Sequence, residues 1–213
     1  KICVQEDWSI AALDFLGGRR GITEEFQYST LGIHILTGII TAVSKMTTVD
    51  FANKFLFEPL LIAPRKIYVA PDAEAHKAFT IEKTPKGKIW FSDNKGVGAA
   101  GYGLCLSADE MAKIGLLCLK KGIFNNKRIV SEKWLKESII VRLSCGKKFR
   151  DMKYGYLWWI IDENEGSYAA IGNSGNVIYT NPRKDLVVAV SGYFKPTVFD
   201  RIDFIKEQIE EKL

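Results

Sequence analysis

A tyrosine at the start of a predicted helix is the side chain of this 213-residue chain that is best placed for acid–base chemistry. Tyr28 is followed by Ser29, by Thr30 and by apolar residues at positions 31, 35, 36, 39, 40 and 43. This spacing predicts an amphipathic helix with one buried face, whose first amides Ser29 or Thr30 can cap. Because helix dipoles favour negative charge at the N-terminus, a phenolate base is one interpretation of Tyr28. A capped, partly buried core tyrosine is the other.

The elements that must position Tyr28 are predicted from apolar periodicity and capping signals. Ser107 and Glu110 form a capping box in front of one helix. The predicted helices cover 8–15, 29–46, 49–57, 72–78, 107–121 and 131–141. The predicted strands cover 156–161, 168–171, 176–179 and 186–190, and a last helix covers 198–213. Short links between the strands indicate antiparallel pairing.

This order of elements predicts an α+β fold in which helices flank an antiparallel β-sheet. We interpret residues 1–213 as the C-terminal part of a single domain. Its region 1–150 is mainly helical, and its region 151–213 holds the antiparallel strands and a C-terminal helix.

Composition and charge indicate which classes of binding partner and cofactor the chain is expected to lack. The chain is 47% hydrophobic and 26% charged, which is typical of a globular protein. Its net charge of +5 comes from scattered lysines, so we predict no nucleic-acid partner. No run reaches the roughly 18 apolar residues that a membrane span needs. The four cysteines lack C-x-x-C spacing and His34 lies far from His76 in the sequence, so neither a metal nor a cofactor is predicted.

Several short motifs follow one another in a characteristic order. They are Phe26-x-Tyr28-Ser29, Ala99-Ala100-Gly101-Tyr102-Gly103-Leu104, Tyr154-Gly155-Tyr156-x-Trp158-Trp159 and Ala170-x-Gly172-x-x-Gly175-Asn176. This ordered set covers most of residues 24–193 and resembles the serine β-lactamase and penicillin-binding protein superfamily, in its class C and esterase-like branch. The resemblance implies a β-lactamase/transpeptidase-like sheet flanked by helices.

The resemblance also implies acyl transfer, in which a serine attacks a carbonyl while a lysine and a tyrosine move its proton. Tyr28 matches the tyrosine of the second family motif and is the implied general base. Thr30 stands where the family has asparagine. Asn173, Ser174 and Gly175 stand near the third motif, without its lysine or histidine, and are implied substrate-binding residues along with Thr30. From the residues alone, this stretch could also be a plain β-turn or bulge.

The first family motif, Ser-x-x-Lys, is not found ahead of Tyr28. It occurs at Ser92–Lys95 and at Ser144–Lys147, in both cases after Tyr28 and in loop-like sequence. The chemistry needs both side chains one turn apart on a helix. We therefore expect the nucleophile to lie outside this chain, the fold to be incomplete at its N-terminus, and the chain to be inactive by itself.

Without that lysine, Tyr28 is predicted to be neutral. Holding a phenol of pKa about 10 as phenolate at pH 7 costs about 4 kcal/mol. A helix terminus supplies at most ~2 kcal/mol of this. The remainder must come from a neighbouring cation.

The expected function is that of a β-lactamase-related serine hydrolase, which cleaves a β-lactam, a D-amino peptide or an ester through an acyl-serine. The alternative is a non-catalytic sensor or pseudoenzyme that binds peptidoglycan-like ligands, and Thr30 at the asparagine position favours it. The resemblance favours an extracytoplasmic location. Because an incomplete sheet leaves one edge open, we also expect a homodimer through that edge.

Overall fold

The computed structural model describes residues 5–16, 25–81, 87–172, 175–192 and 200–213. The chain divides into two compact units, Lys1–Leu106 and Ser107–Leu213. In the first unit the described elements are α1 (Trp8–Leu16), α2 (Thr30–Ser44), α3 (Thr48–Ala52) with a π-helical continuation (Asn53–Phe57), β1 (Lys66–Tyr68), α4 (Ala73–Ile81) and β2 (Ile89–Phe91). Strands β1 and β2 pair in parallel. The short helix predicted near 72–78 is thus confirmed as α4. The interpretation of 1–213 as the C-terminal part of a single domain stays a prediction.

The side of α2 that is buried is opposite to the apolar side that the sequence predicts to be buried. Its buried residues are His34 and Thr37, whereas Leu36, Ile39 and Val43 are exposed. The prediction of a buried apolar face is therefore wrong for these three side chains. The polar side tolerates burial because its hydroxyls bond within the helix: the Thr37 hydroxyl donates to the His34 carbonyl at 2.9 Å.

Helix α1 packs closely along α2. A Cβ added at Gly38 would lie 2.3 Å from the Cβ of Ser9, so only glycine permits this approach. A Cβ added at Gly32 would lie 3.8 Å from the Cδ1 of Leu16. The start of α1 therefore meets the second half of α2 and the end of α1 meets its start, which makes the two helices antiparallel.

Within the described part of the chain, none of the helices is both long and apolar enough to cross a bilayer by itself. Helix α2 and the helical segment Thr48–Phe57 pass the length and composition criteria together, with a bend of 78° between them. The pair meets the composition criterion in part because Thr30–Ser44 contains no charged residue.

An aromatic cluster forms the core of the first unit. Trp8, Phe91 and Ala99 are buried at its centre. His34 lies against it, with its ring edge-on to Trp8 at a centroid distance of 5.8 Å. The Nδ1 atom of His34 accepts the backbone N–H of Ala100 at 3.2 Å, which ties the segment after β2 to the middle of α2.

The second unit is built on a six-stranded antiparallel sheet. Its described helices are α5 (Ala108–Leu119), α6 (Glu132–Ser138) and α7 (Asp200–Gln208). Its strands are β3 (Ile123–Phe124), β4 (Lys127–Arg128), β5 (Leu143–Ser144), β6 (Lys153–Tyr154), β7 (Trp159–Asp162), β8 (Ser167–Ile171), β9 (Val177–Asn181) and β10 (Leu186–Val190). Strands β5 to β10 make the sheet in the spatial order β10-β9-β8-β7-β6-β5, and β3 and β4 form a separate hairpin. The predicted capping box of Ser107 and Glu110 is confirmed at the start of α5.

Helices cover this sheet on both faces, as the predicted α+β fold requires. On one face, a Cβ added at Gly115 of α5 would lie 2.5 Å from the Cγ1 of Val187. On the other face, Ile202 and Ile205 of α7 pack with Val177 and Tyr179 of β9. Strand β10 is apolar on both sides for this reason. It lies at the end of the strand order and has no second strand partner among the described residues.

A buried polar network anchors the C-terminal turn to β9. The Tyr179 hydroxyl donates to Oε1 of Glu210 at 2.7 Å. The Asn181 amide donates to the same carboxylate oxygen and, at 2.8 Å, to Oε2 of Glu165. Glu210 is almost completely buried. Its carboxylate therefore depends on these donors in place of water.

Removing one donor of this network is expected to destabilise the fold. Tyr179→Phe keeps the ring but leaves the buried Glu210 carboxylate with one donor fewer, which costs about 1–3 kcal/mol. Urea denaturation measures the change in free energy of unfolding. Tyr156→Phe is the matched control because the Tyr156 side chain is exposed in the same unit. Equal midpoints for the two variants would contradict the assigned role of Tyr179.

The fold is also expected to lose stability in mild acid through His34. Burial lowers the pKa of the His34 imidazole, so the folded chain binds a proton at this residue less readily than the unfolded chain does. Stability contributed by the neutral ring is complete above the unfolded pKa of about 6.5 and falls as the pH drops below it.

His34→Asn tests this dependence, because the Asn side chain keeps an acceptor but does not titrate. The decrease in urea midpoint from about pH 7.5 to about pH 5.5 should be smaller in this variant than in the wild type. Burial also lowers the pKa of His76. His76→Asn is therefore the control that retains the contribution of His34. A wild-type decrease that persists in full in His34→Asn would contradict the assignment.

Candidate functional site

Tyr28 lies in the extended segment directly before α2. Ser29 is the N-cap, with extended backbone angles, and its Oγ accepts the N–H of Gly32 at 3.1 Å. Of the two predicted caps, Ser29 is thus the one used. The Tyr28 side chain is 39% exposed, and burial of the rest raises the pKa of its phenol. A raised pKa agrees with the neutral tyrosine that the sequence predicts.

Thr30 is the first residue of α2 and lies against the glycine-rich segment after β2. A Cβ added at Gly101 would be 2.4 Å from the Cγ2 of Thr30, so a larger residue at 101 would displace that segment. The neighbouring N–H of Ala100 is held by Nδ1 of His34 at 3.2 Å. These two contacts fix residues 100–101 beside the first turn of α2, the turn that Tyr28 precedes.

His34 holds the glycine-rich segment against α2, a contact that the sequence did not predict. Its place within an apolar helix is compatible with a structural or a surface residue, and the structure shows it buried. The ring of Tyr102 meets its ring edge-on at a centroid distance of 5.7 Å. The Tyr102 hydroxyl lies 3.4 Å from Nε2 of His76. No local pattern in the sequence pointed to this contact, because Ala100 lies 66 positions away from His34.

The segment that resembles the third motif lies in the second unit, between β8 and β9. The N–H of Gly175 donates to the carbonyl of Gly172 at 3.0 Å, and Gly175 has a φ of +82°. The N–H of Gly172 donates to the carbonyl of Asn176 at 2.9 Å. These bonds close a tight hairpin connection. Asn173 and Ser174, which the sequence analysis assigns to substrate binding, lie outside the described residues.

The first Ser-x-x-Lys match lacks the geometry of a catalytic pair. Ser92 is fully buried and its hydroxyl donates to the Trp90 carbonyl at 3.1 Å. The Lys95 ammonium forms an ion pair with Asp7 at 3.2 Å. Residues 92–95 form a β-bridge and a turn instead of a helix. The two side chains therefore do not share one helical face.

The second match has an equally unsuitable backbone. Ser144 belongs to β5, whereas Lys147 begins a short 3₁₀ segment after Gly146. Gly146 has a φ of +70°, which separates the two elements by a turn. Neither match therefore places its serine and lysine one turn apart on an α-helix.

The cysteines and the acidic side chains are the remaining candidates for metal ligands or nucleophiles. No group of three or more His, Cys, Asp or Glu side chains there could hold a metal ion. Cys105, Cys118 and Cys145 are free thiols. Burial raises the pKa of the Cys118 thiol to about 12, so it remains protonated and is not a nucleophile at neutral pH.

Comparison with known proteins gives this arrangement a family context. The 6-aminohexanoate-dimer hydrolase of Paenarthrobacter ureafaciens is 25% identical over 176 residues, which cover 79% of this chain and 39% of that protein. This chain thus spans well under half of that relative's length.

Solved structures share the fold. A candidate 6-aminohexanoate-dimer hydrolase from Bacillus anthracis matches with a TM-score of 0.62 at 19% identity, over 89% of this chain and 45% of that one. A candidate beta-lactamase from Bacteroides dorei matches with a TM-score of 0.61 at 14% identity, over 95% and 64% of the two chains. A penicillin-binding protein homologue from Caulobacter crescentus matches with a TM-score of 0.59 at 13% identity, over 93% and 62%.

The resemblance that the sequence motifs predict is therefore confirmed at the level of fold and superfamily. The model of the family described as Beta-lactamase matches residues 19–205, which include Tyr28, the glycine-rich segment and strands β5 to β10. This chain belongs to the beta-lactamase family.

Proposed function

We propose that this chain carries the tyrosine side of the acyl-transfer site of a β-lactamase-related serine hydrolase, which cleaves an amide or ester through an acyl-serine. The observation that supports this most is the placement of Tyr28 directly before the capped N-terminus of α2, inside the segment that the family model matches. The helix dipole there stabilises any negative charge that develops on the phenol oxygen.

In this proposal Tyr28 moves the proton between the nucleophile and the leaving group. A neutral phenol can donate, but it accepts a proton from serine only after a cation has lowered its pKa. The required cation is the lysine of a Ser-x-x-Lys helix, as in the family. Thr30 offers one hydroxyl where the family has a carboxamide, so it orients the substrate with fewer hydrogen bonds. Asn173, Ser174 and Gly175 are proposed to line the substrate strand and to provide the oxyanion-hole amide.

The proposed substrate is a small molecule with an amide or ester bond. β-Lactams, D-amino peptides and short esters fit the same chemistry, and the name of the Paenarthrobacter relative adds a dimer of 6-aminohexanoate to these candidates. The machinery does not determine the acyl group, because one fold serves many substrates.

The nucleophile is proposed to lie in polypeptide outside residues 1–213. Support comes from the two internal Ser-x-x-Lys matches, since in neither match does an α-helix join the serine to the lysine. The chain by itself is then inactive. The second candidate function, a sensor or pseudoenzyme that binds peptidoglycan-like ligands, is favoured by Thr30 at the asparagine position and by the raised pKa of Tyr28.

Covalent labelling tests the location of the nucleophile. The 213-residue chain should remain unlabelled by a fluorescent penicillin and by a fluorescent fluorophosphonate, because the proposal assigns the activated serine to another segment of polypeptide. A known serine β-lactamase treated in parallel is the positive control. Labelling of this chain at Ser92 or Ser144, located by mass spectrometry, would contradict the proposal.

Turnover by a longer polypeptide that carries a Ser-x-x-Lys helix ahead of Lys1 tests the role of Tyr28. Tyr28→Phe should lower kcat/KM for an amide or ester substrate by about 10²–10⁴-fold, the usual contribution of a positioned acid–base group. Tyr156→Phe is the control for the loss of an exposed phenol. An unchanged rate in Tyr28→Phe would remove the role assigned to Tyr28. Ligand binding without turnover in the wild type would favour the pseudoenzyme.

A further inference from the structure

Helices α1 and α2 present an exposed apolar surface, which we call the α1–α2 face. Six large apolar side chains form it, each between 42 and 78% exposed. They are Ile10, Leu13 and Leu16 of α1 and Leu36, Ile39 and Val43 of α2. Their spacing of three or four residues along each helix places them on one side of it.

This face is too apolar to be an ordinary solvated surface. Helix α2 contains no charged residue over its 15 positions, and the side that it buries carries His34, Thr37 and Thr41 instead of aliphatic residues. A helix without a polar outer face is normally covered on every side. Contiguous exposed apolar patches of this kind mark interaction sites in soluble proteins.

The area of the face suits a protein interface. Six half-exposed aliphatic side chains present on the order of 600 Å² per chain, whereas each partner in a standard interface buries roughly 800 Å². None of the six side chains of the face is charged, so an identical face can approach it without like-charge repulsion between them. A two-fold axis then lets the same patch serve both partners. We propose that a second copy of this chain packs its α1–α2 face against this one. The proposal is independent of the hydrolase activity proposed above.

The open sheet edge that the sequence predicts as the dimer contact is the competing surface. Strand β10 has an unpaired side among the described residues, but Leu186 to Val190 are half-buried between α5 and α7. None of its side chains is among the large exposed apolar ones. Edge pairing would therefore gain backbone hydrogen bonds and little apolar burial, and apolar burial is the larger driving force for association.

A membrane surface is the other competing partner. Helices that bind in the interface carry lysine or arginine on the polar face, where these side chains contact lipid headgroups. Helix α2 has none, and its polar side is turned into the protein. A protein partner therefore suits the face better.

Sedimentation velocity of the reduced 213-residue chain over a concentration series tests the proposal. The wild type should be a reversible dimer. Ile39→Glu places a charge at the centre of the face and should raise the dimer dissociation constant at least tenfold. Ile81→Glu is the matched control, since Ile81 is an exposed helical isoleucine of the same unit, and it should dimerise like the wild type. Circular dichroism checks that both variants are folded.

Two further measurements separate the competing surfaces. Hydrogen exchange measured at increasing protein concentration should show no change in the protection of the β10 amides. If their protection rises with concentration, and if Ile39→Glu still dimerises, the contact lies at the sheet edge and the proposal is overturned. Phosphatidylcholine vesicles should not retain the chain. A chain that is monomeric at all concentrations, or a monomer that sediments with the vesicles, would overturn it as well.

Discussion

The bond between Nδ1 of His34 and the N–H of Ala100 is the contact on which the geometry around Tyr28 depends. It joins the second turn of α2 to the glycine-rich segment, and the contact of Thr30 with Gly101 joins the first turn to the same segment. The first two turns of α2, which Tyr28 directly precedes, are thereby held against residues 100–101. An imidazole accepts this bond only in its neutral form, and burial of His34 favours that form.

A second constraint operates in the sheet of the other unit. Because α5 approaches one face through Gly115 and α7 covers the opposite face, the central strands carry apolar side chains on both sides. The hairpin that contains Gly175 is thereby attached to a rigid strand pair at Ile171 and Val177. A strand held in this way can offer backbone amides at a fixed position, which an oxyanion hole requires.

Local signals in the sequence were sufficient to predict contacts in which a side chain bonds to backbone a few residues away. The capping box of Ser107 and Glu110 and the cap at Ser29 were predictable because each bond spans three residues. The covered side of α2 was not predictable in the same way. Apolar spacing gives the period of a helix, but which side is buried depends on what packs against it. Thr37 tolerates burial by bonding within the helix, and His34 is satisfied by a residue 66 positions away that no local pattern connects to it.

The protonation state of Tyr28 depends on its burial and on the cations near it. Burial raises its pKa, and the free energy needed to ionise it at neutral pH exceeds what a helix terminus supplies. The two described lysines that follow a serine by three positions do not lie one α-helical turn from that serine, since Lys95 is in a turn and pairs with Asp7, and Lys147 begins a 3₁₀ segment after Gly146. A phenol in this state can hold a hydrogen bond but cannot take a proton from serine. Base chemistry at Tyr28 therefore requires a neighbouring cation that lowers the pKa of the phenol, which is the part that the proposed function assigns to the lysine of a Ser-x-x-Lys helix.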